Sequence, residues 1–469
     1  MISFILNQQT IQTDAPPGMA LLDFIRKNQQ LKGSKLVCKE GECGACSVLV
    51  GELRKDRIFY QSMTSCITPL VNAQGKHIVT IEGLNMEQLS PVQQAMVGQY
   101  GTQCGFCTPG FVVSLSGYLI ANVRISREGI IASIDGNICR CTGYKSIERA
   151  ADVILERVNR EVPELSISNL VAKDFIPSYF NAIPSRLSKL EKPAYKKNGQ
   201  VKLGGGTDLY VQRPYKMYEN AVLPLYDQAS LNGIDISGGI CTFGAALTMG
   251  DLGRSAIFKK ALPDADYIFK LLSSTQIRNM ATIGGNLVNA SPIGDFTILL
   301  LALDSTLVVE KNGVKRNLPL RDFYLDYKKT DLREGEIVEQ IKFKIPTETM
   351  SVHFEKVSQR KYFDIASVNF AATLDISDQV IQSAHLAVGG VGPIPMYLHK
   401  TSDFLKGKKL TNDLLQKCLP VLNKEITPIS DARGSATYKR LLARQLFIAQ
   451  FLKIKTTDAP LDLQKIITV

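Results

Sequence analysis

Apolar residues recur along this chain in several rhythms, and the rhythms divide it. Residues 1–78 read as short strands and turns with one helix. Residues 79–158 carry helical spacing instead. "TPGFVVSLSGYLI" (108–120) places Pro109 in the first turn of a helix, and from about Lys145 "KSIERAADVILERV" sets charged and apolar positions on opposite faces of another. The stretch 159–174 is weakly periodic and contains proline, which predicts an interdomain linker. Residues 175–345 and 346–469 mix strand-like and helix-like segments, as two further α+β domains would. The last of these ends in "GSATYKRLLARQLFIAQFLK", read as an amphipathic helix with Leu441, Leu442, Leu446, Phe451 and Leu452 facing inward. The longest apolar run, "FTILLLALDSTLVV" (296–309), is interrupted by Asp304, well short of the roughly 20 residues that a membrane span needs.

Composition and charge narrow the class. At 469 residues the chain exceeds a single core, and three or so domains are expected. The first residues, "MISFILNQQTIQTDAPPG", have neither a basic leader nor a long apolar segment, so a cytoplasmic protein without membrane attachment is expected. The net charge of +11 raises nucleic acid as a partner. Its basic residues are dispersed, however, and the chain has no tryptophan, so a solvated surface explains the charge better and no nucleic-acid site is expected.

Cysteine placement changes the picture. Eight of the ten cysteines fall in the first 141 residues, as Cys38, Cys43, Cys46 and Cys66 (C-x4-C-x2-C-x19-C) and then Cys104, Cys107, Cys139 and Cys141 (C-x2-C-x31-C-x-C). Cys241 and Cys418 stand alone in apolar surroundings and read as core thiols. Disulfides suit small secreted domains. Structural zinc favours paired short knuckles, which neither set has. The first spacing is that of plant-type [2Fe–2S] ligation, where one loop wraps the cluster and a later strand supplies the last thiolate. Gly41 and Gly44 would let that loop pass close to inorganic sulfide. The second set predicts two helix-entry turns facing each other around a second cluster, with Cys139 and Cys141 on turn or extended backbone.

Two glycine-rich segments follow, "VKLGGGTDLYVQ" (201–212) and "ATIGGNLVNASPIGD" (281–295), each read as a glycine turn. Neither fits G-x-G-x-x-G, which argues against a Rossmann unit. Successive glycine N–H groups can form a nest for a pyrophosphate, although a plain tight turn is the simpler explanation of either. The histidines His77, His353, His385 and His399 are scattered and form no ligand set, and no hydrolytic triad or P-loop is present.

Taken together, "LVCKEGECGACSVLVGE", "CGFCTPGFV", "GNICRCTGY", "KLGGGTDL", "QIRNMATIGGNLVNASPIGD" and "SDARGSATYKRLLARQL" resemble the xanthine dehydrogenase and aldehyde oxidase family of molybdenum hydroxylases over nearly the whole chain. The resemblance implies an α+β multidomain fold: a β-grasp, ferredoxin-like 2Fe-2S domain (1–78), a four-helix 2Fe-2S domain (79–158), the linker (159–174), a non-Rossmann FAD-binding α+β domain (175–345) and a C-terminal α+β domain (346–469). It implies two 2Fe-2S clusters on the two cysteine sets and FAD, with NAD⁺ as acceptor and oxygen or another carrier as alternatives. Molybdopterin is expected only on a partner, a large subunit joined with this chain as an α2β2 heterotetramer. By the same resemblance Leu203, Gly204, Gly205, Gly206, Thr207, Asp208, Leu209 and Tyr210 would wrap the FAD pyrophosphate. Thr282, Ile283, Gly284, Gly285, Asn286 and Asp295 would bind its phosphate, ribityl or adenosine parts. Leu272, Val338 and Lys356 fall at further flavin contacts of the family. From spacing alone Val338 is a strand residue and Lys356 a solvated lysine. Leu272 stands where many relatives carry an aromatic, and "RKYFDIAS" (360–367) stands where xanthine dehydrogenases carry a more acidic loop.

Overall fold

A computed structural model describes the chain except for residues 56, 122–123, 191–200, 220, 361, 455–460, 462–465 and 467–469. It separates into two compact units. One comprises Met1–Asp227 with Ser274–Ala281, the other Gln228–Ser273 with Thr282–Val469.

The first unit opens with a five-stranded sheet built from β1 (Ile2–Leu6), β2 (Gln9–Thr13), β3 (Ser47–Arg54), β4 (Arg57–Thr64) and β5 (His77–Val79), in the order β2-β1-β5-β3-β4. Only β1 and β5 run parallel, the pairing expected of a β-grasp. All five residues of β1 are buried, as they must be in a strand covered on both faces. The helices Pro91–Gly98, Thr108–Ala121, Arg127–Ser133 and Lys145–Glu161 follow. Ser90 and Gln93 close a capping box on the first, and Ser126 caps the third. Gly117 lets helix Thr108–Ala121 lie directly on β3, since a Cβ there would come within 2.5 Å of Leu49.

The stretch 159–174 is not an extended linker. Lys145–Glu161 runs into it, and a further helix, Ile167–Ala172, buries Leu170 in the same apolar cluster as Phe111, Ile147 and Phe180. A six-residue helix is too short to display a 3.6-residue period, so burial rather than pattern defines it.

The second unit holds a five-stranded and a four-stranded antiparallel sheet, beside a two-stranded pairing of Tyr324–Asp326 with Lys329–Thr330. The first orders Val314–Pro319, Thr306–Lys311, Ile337–Lys344, Ile240–Gly244 and Ile234–Ser237; the second orders Met350–Val357, Val368–Ser377, Val380–Gly389 and Met396–Tyr397. The first half of the long apolar run forms helix Asp295–Ala302, buried all round as its lack of a polar face requires, and its second half enters strand Thr306–Lys311. The final helix, Ala436–Leu452, forms as expected but turns a different face inward. Leu446 and Phe451 are buried and Leu442 packs at the edge of the core, whereas Leu441 and Leu452 are 48% and 40% exposed. The buried residues are Lys439, Ala443, Leu446, Phe447, Ile448, Gln450 and Phe451. The phase of this face is hidden in the sequence because two members are polar: Lys439 bonds Asp431 at 2.6 Å and Gln450 bonds the Leu446 carbonyl at 3.1 Å. Among the described residues no helix is long and apolar enough to cross a membrane.

Candidate metal and cofactor sites

Cys38, Cys43 and Cys46 lie on the irregular loop before β3, and Cys66 lies on the 3-10 turn Ser65–Ile67 that ends β4. All ten cysteines of the chain are free thiols. Hydrogen bonds from Cys43 and Cys66 hold Cys38 far below the usual thiol range, and Cys66 does the same for the buried Cys46. The donors move the other way. Cys43 is raised by Cys38, and Cys66 by Cys38 and Cys46. The Glu40 N–H adds a bond to the Cys38 sulfur at 3.4 Å. The loop therefore favours anionic sulfur, the form that binds metal.

The second set forms on the entry turns of helices Thr108–Ala121 and Lys145–Glu161, and Cys139 and Cys141 sit on turn backbone as expected. The exposed sulfurs of Cys104 and Cys141 are 3.7 Å apart. Burial and a bond with Cys139 push Cys107 up to about 12. Burial also works against the Cys139 thiolate. Bonds from Thr142, whose hydroxyl lies 3.1 Å from the sulfur, and from the Cys141 backbone nonetheless hold its pKa below the usual value. Among the described residues no three His, Cys, Asp or Glu side chains gather as the ligands of one ion would.

The two cysteine loops press on each other. The Ile138 N–H donates to the Cys43 carbonyl at 3.0 Å, and the Asn137 amide to that of Gly44 at 3.1 Å. Gly44 has φ +66°, and a Cβ there would fall 2.4 Å from the Gly136 carbonyl oxygen, so both conformation and space demand glycine. The thiol-rich loops, each holding at least one sulfur below its usual range, suit iron–sulfur ligation on these grounds.

The first glycine segment is strand Val201–Leu203, a turn and helix Leu209–Gln212, with Asp208 at the cap and Tyr210 anchored on the Gly18 carbonyl at 2.6 Å. Gly205 is required by packing, because a Cβ would lie 1.9 Å from the Met280 carbonyl oxygen. Among the described residues the N–H groups of Gly205, Gly206 and Thr207 have no acceptor within the chain, which leaves a nest of the kind that suits a pyrophosphate.

The second glycine segment is not a turn. Gly284 and Gly285 lie in the first turn of helix Ile283–Asn289, which Thr282 caps. Its first N–H groups are already used: Ile283 on Leu247, Gly284 on Ala245, Gly285 on the Thr282 hydroxyl and Asn286 on the Thr282 carbonyl. Any ligand contact there falls to the side chains of Thr282 and Asn286. Glycine pairs signal loops in sequence, and here the cap overrides that signal.

Asp295 starts the buried helix and accepts from the Lys356 ammonium at 2.7 Å and the Asn369 amide at 2.5 Å. Lys356 is not solvated; its side chain is 2% exposed and it also donates to the Leu271 carbonyl at 2.9 Å. Burial raises the Asp295 pKa, and Lys356 opposes it. Asn369 was not anticipated. A polar residue inside "VNFAATLDIS" was its only trace, and its buried Oδ1 is left without a partner. Val338 is buried in strand Ile337–Lys344 opposite Val309, and Leu272 is buried at the end of helix Ala265–Leu271. In the 360–367 loop Asp364 accepts from the Arg360 N–H at 2.8 Å, and position 361 is outside the described residues.

Comparison with known proteins places four families along the chain in order: the 2Fe-2S iron-sulfur cluster binding domain (4–71), the [2Fe-2S] binding domain (80–152), the FAD binding domain in molybdopterin dehydrogenase (181–347) and the CO dehydrogenase flavoprotein C-terminal domain (353–454). The chain belongs to the xanthine dehydrogenase and aldehyde oxidase family. Within this family, xanthine dehydrogenase 1 of Arabidopsis thaliana is 28% identical over 96% of the chain and 39% of its own length. Xanthine dehydrogenase of Emericella nidulans is 29% identical over 95% of the chain and 38% of its own, and nicotinate hydroxylase hnxS of the same organism 27% over 95% and 40%. The chain thus spans about two fifths of the length of these relatives. Among solved structures, carbon monoxide dehydrogenase from Hydrogenophaga pseudoflava matches with a TM-score of 0.50 and 26% identity, covering 52% of this chain and 85% of that one. The reconstituted CO dehydrogenase from Oligotropha carboxidovorans matches with the same TM-score and identity, over 53% and 88%. The chain carries 2Fe-2S and FAD-binding domains of the molybdenum hydroxylase kind.

Proposed function

We propose that this chain is the electron-transfer subunit of a xanthine dehydrogenase, paired with a molybdopterin-binding large subunit in an α2β2 assembly. In this reading residues 1–78 and 79–158 carry the two clusters, and the segments after 175 carry the flavin. When bound, two 2Fe-2S clusters and FAD supply single-electron transfer and its conversion to a hydride for NAD⁺. The chain's own residues hold and tune. Cys38, Cys43, Cys46 and Cys66 ligate one cluster, and Cys104, Cys107, Cys139 and Cys141 the other. Gly205, Gly206 and Thr207 donate to the pyrophosphate, and Lys356 opposes the neutralisation that burial favours at Asp295. The observation that carries the reading is that two quartets of free thiols and a nest of unpartnered N–H groups occur in one compact unit. The xanthine dehydrogenases among the relatives favour a purine substrate.

A second reading, the same subunit in a hydroxylase of another N-heterocycle or of aldehydes, draws on the nicotinate hydroxylase relative. Co-purification with its large subunit, followed by turnover of xanthine, nicotinate and an aldehyde with NAD⁺ or oxygen, separates the two. Xanthine turnover with NAD⁺ is expected, and activity on the others alone would replace the first reading by the second. Metal analysis should find about four irons with equal labile sulfide and one flavin per chain. Zinc without iron would overturn both readings in favour of a zinc-stabilised interaction module.

A further inference from the structure

Ser274–Ala281 belongs to the first unit, although the chain on either side of it belongs to the second. Its contacts reach the strand and turn around Cys66, the loop before Cys139 and the glycine turn. Gln276, fully buried, donates to Asn137 at 2.9 Å, and Asn137 in turn holds the Gly44 carbonyl between the first-set cysteines. Asn279 donates to the Ser62 carbonyl at 3.0 Å and accepts from Gln61 at 3.2 Å, both on the strand that leads to Cys66. The Met280 sulfur accepts from the Thr64 and Thr68 hydroxyls at 3.5 and 3.7 Å, on either side of Cys66. The Met280 carbonyl is the group against which Gly205 packs.

Apolar residues would bury this segment with less desolvation. Buried amides tolerate only one geometry, because a slip of register leaves them unpaired at a cost. We propose that Gln276, Asn279 and Met280 are positioning residues that fix the two cysteine loops and the glycine turn Gly204–Gly206 in one register, and so set the gap that electrons cross between cluster and flavin sites. The inference rests on the iron–sulfur and flavin reading above.

The test uses the full chain carrying its clusters and flavin. Internal electron transfer to the flavin is followed after one-electron pulse reduction, together with electron paramagnetic resonance of the reduced clusters. Met280→Leu keeps the volume but removes the acceptor for Thr64, while Thr68 keeps the Thr64 carbonyl at 2.9 Å. It should retain iron and flavin, shift the resonance of the cluster that includes Cys66, and slow transfer severalfold. Gln276→Leu should do likewise, with a shift in the resonance of the cluster that includes Cys139. Gln276→Glu, nearly isosteric, replaces it if that variant loses its cofactors. Native rates with unshifted spectra in Met280→Leu and either Gln276 variant would overturn the proposal. A native chain without iron or flavin would instead overturn the functional reading on which it rests.

Discussion

The Lys356 ammonium lies 2.7 Å from the Asp295 carboxylate with both side chains out of solvent, at 2% and 13% exposure. Neither charge has an inexpensive alternative. Removing the cation alone, as in Lys356→Met, leaves a buried carboxylate supported only by Asn369 and should cost about 3–5 kcal/mol in denaturant unfolding, with loss of flavin from the folded chain. The double change with Asp295→Asn should recover much of that stability without restoring flavin. A single variant as stable as the native chain would refute the buried pair.

His77 gives the pH dependence. Burial lowers its pKa to about 3, while it bonds Tyr60 at 2.6 Å and the Asn7 carbonyl at 2.9 Å. Unfolded, it would titrate near 6.5. The unfolded chain binds more protons between these values, so stability falls as pH drops through that window, by about 1.4 kcal/mol per unit from this residue. Unfolding midpoints between pH 7 and 4 should show the slope, and His77→Gln should flatten it.

Cys43→Ser should remove the resonance of one cluster and about half of the iron while leaving the other cluster, because the Cys43 carbonyl that receives the Ile138 N–H survives the change. Iron content with low-temperature spectra of the reduced chain decides this. Loss of both signals would contradict two separate ligand sets.

The corrected face of the final helix can be checked directly. Phe447→Ala empties a fully buried position and should cost about 3–5 kcal/mol. Leu441→Lys, on the exposed side, should stay within about 0.5 kcal/mol of native. Equal losses at both sites would restore the stripe read from sequence.

The ligand chemistry was legible because it is local: Cys38, Cys43 and Cys46 sit within nine positions, and their spacing carries the meaning. The short strands of residues 1–78 and the helices beginning near Thr108 and Lys145 were legible for the same reason, since period and length survive in a short window, whereas the count of four helices came from the family resemblance and helix Asp295–Ala302 was not read. What stayed hidden depends on distant partners. Gln276 pairs with Asn137 across 139 positions, and Asn279 with Gln61 across 218. Lys356 reads as a surface lysine until Asp295, 61 positions away, is seen beside it. The phase of the final helix was lost to Lys439 and Gln450, polar side chains whose burial no hydropathy pattern announces.

The wedge at Gly44 limits how this chain can be recombined. A β-grasp module transplanted from a distant relative would have to bring a loop that meets Gly136 and Asn137 without a side chain between them. A crossover placed between the first two modules would separate these matched surfaces. Functional chimaeras should therefore exchange residues 1–158 as one block, together with the eight residues from Ser274 to Ala281 that grip both.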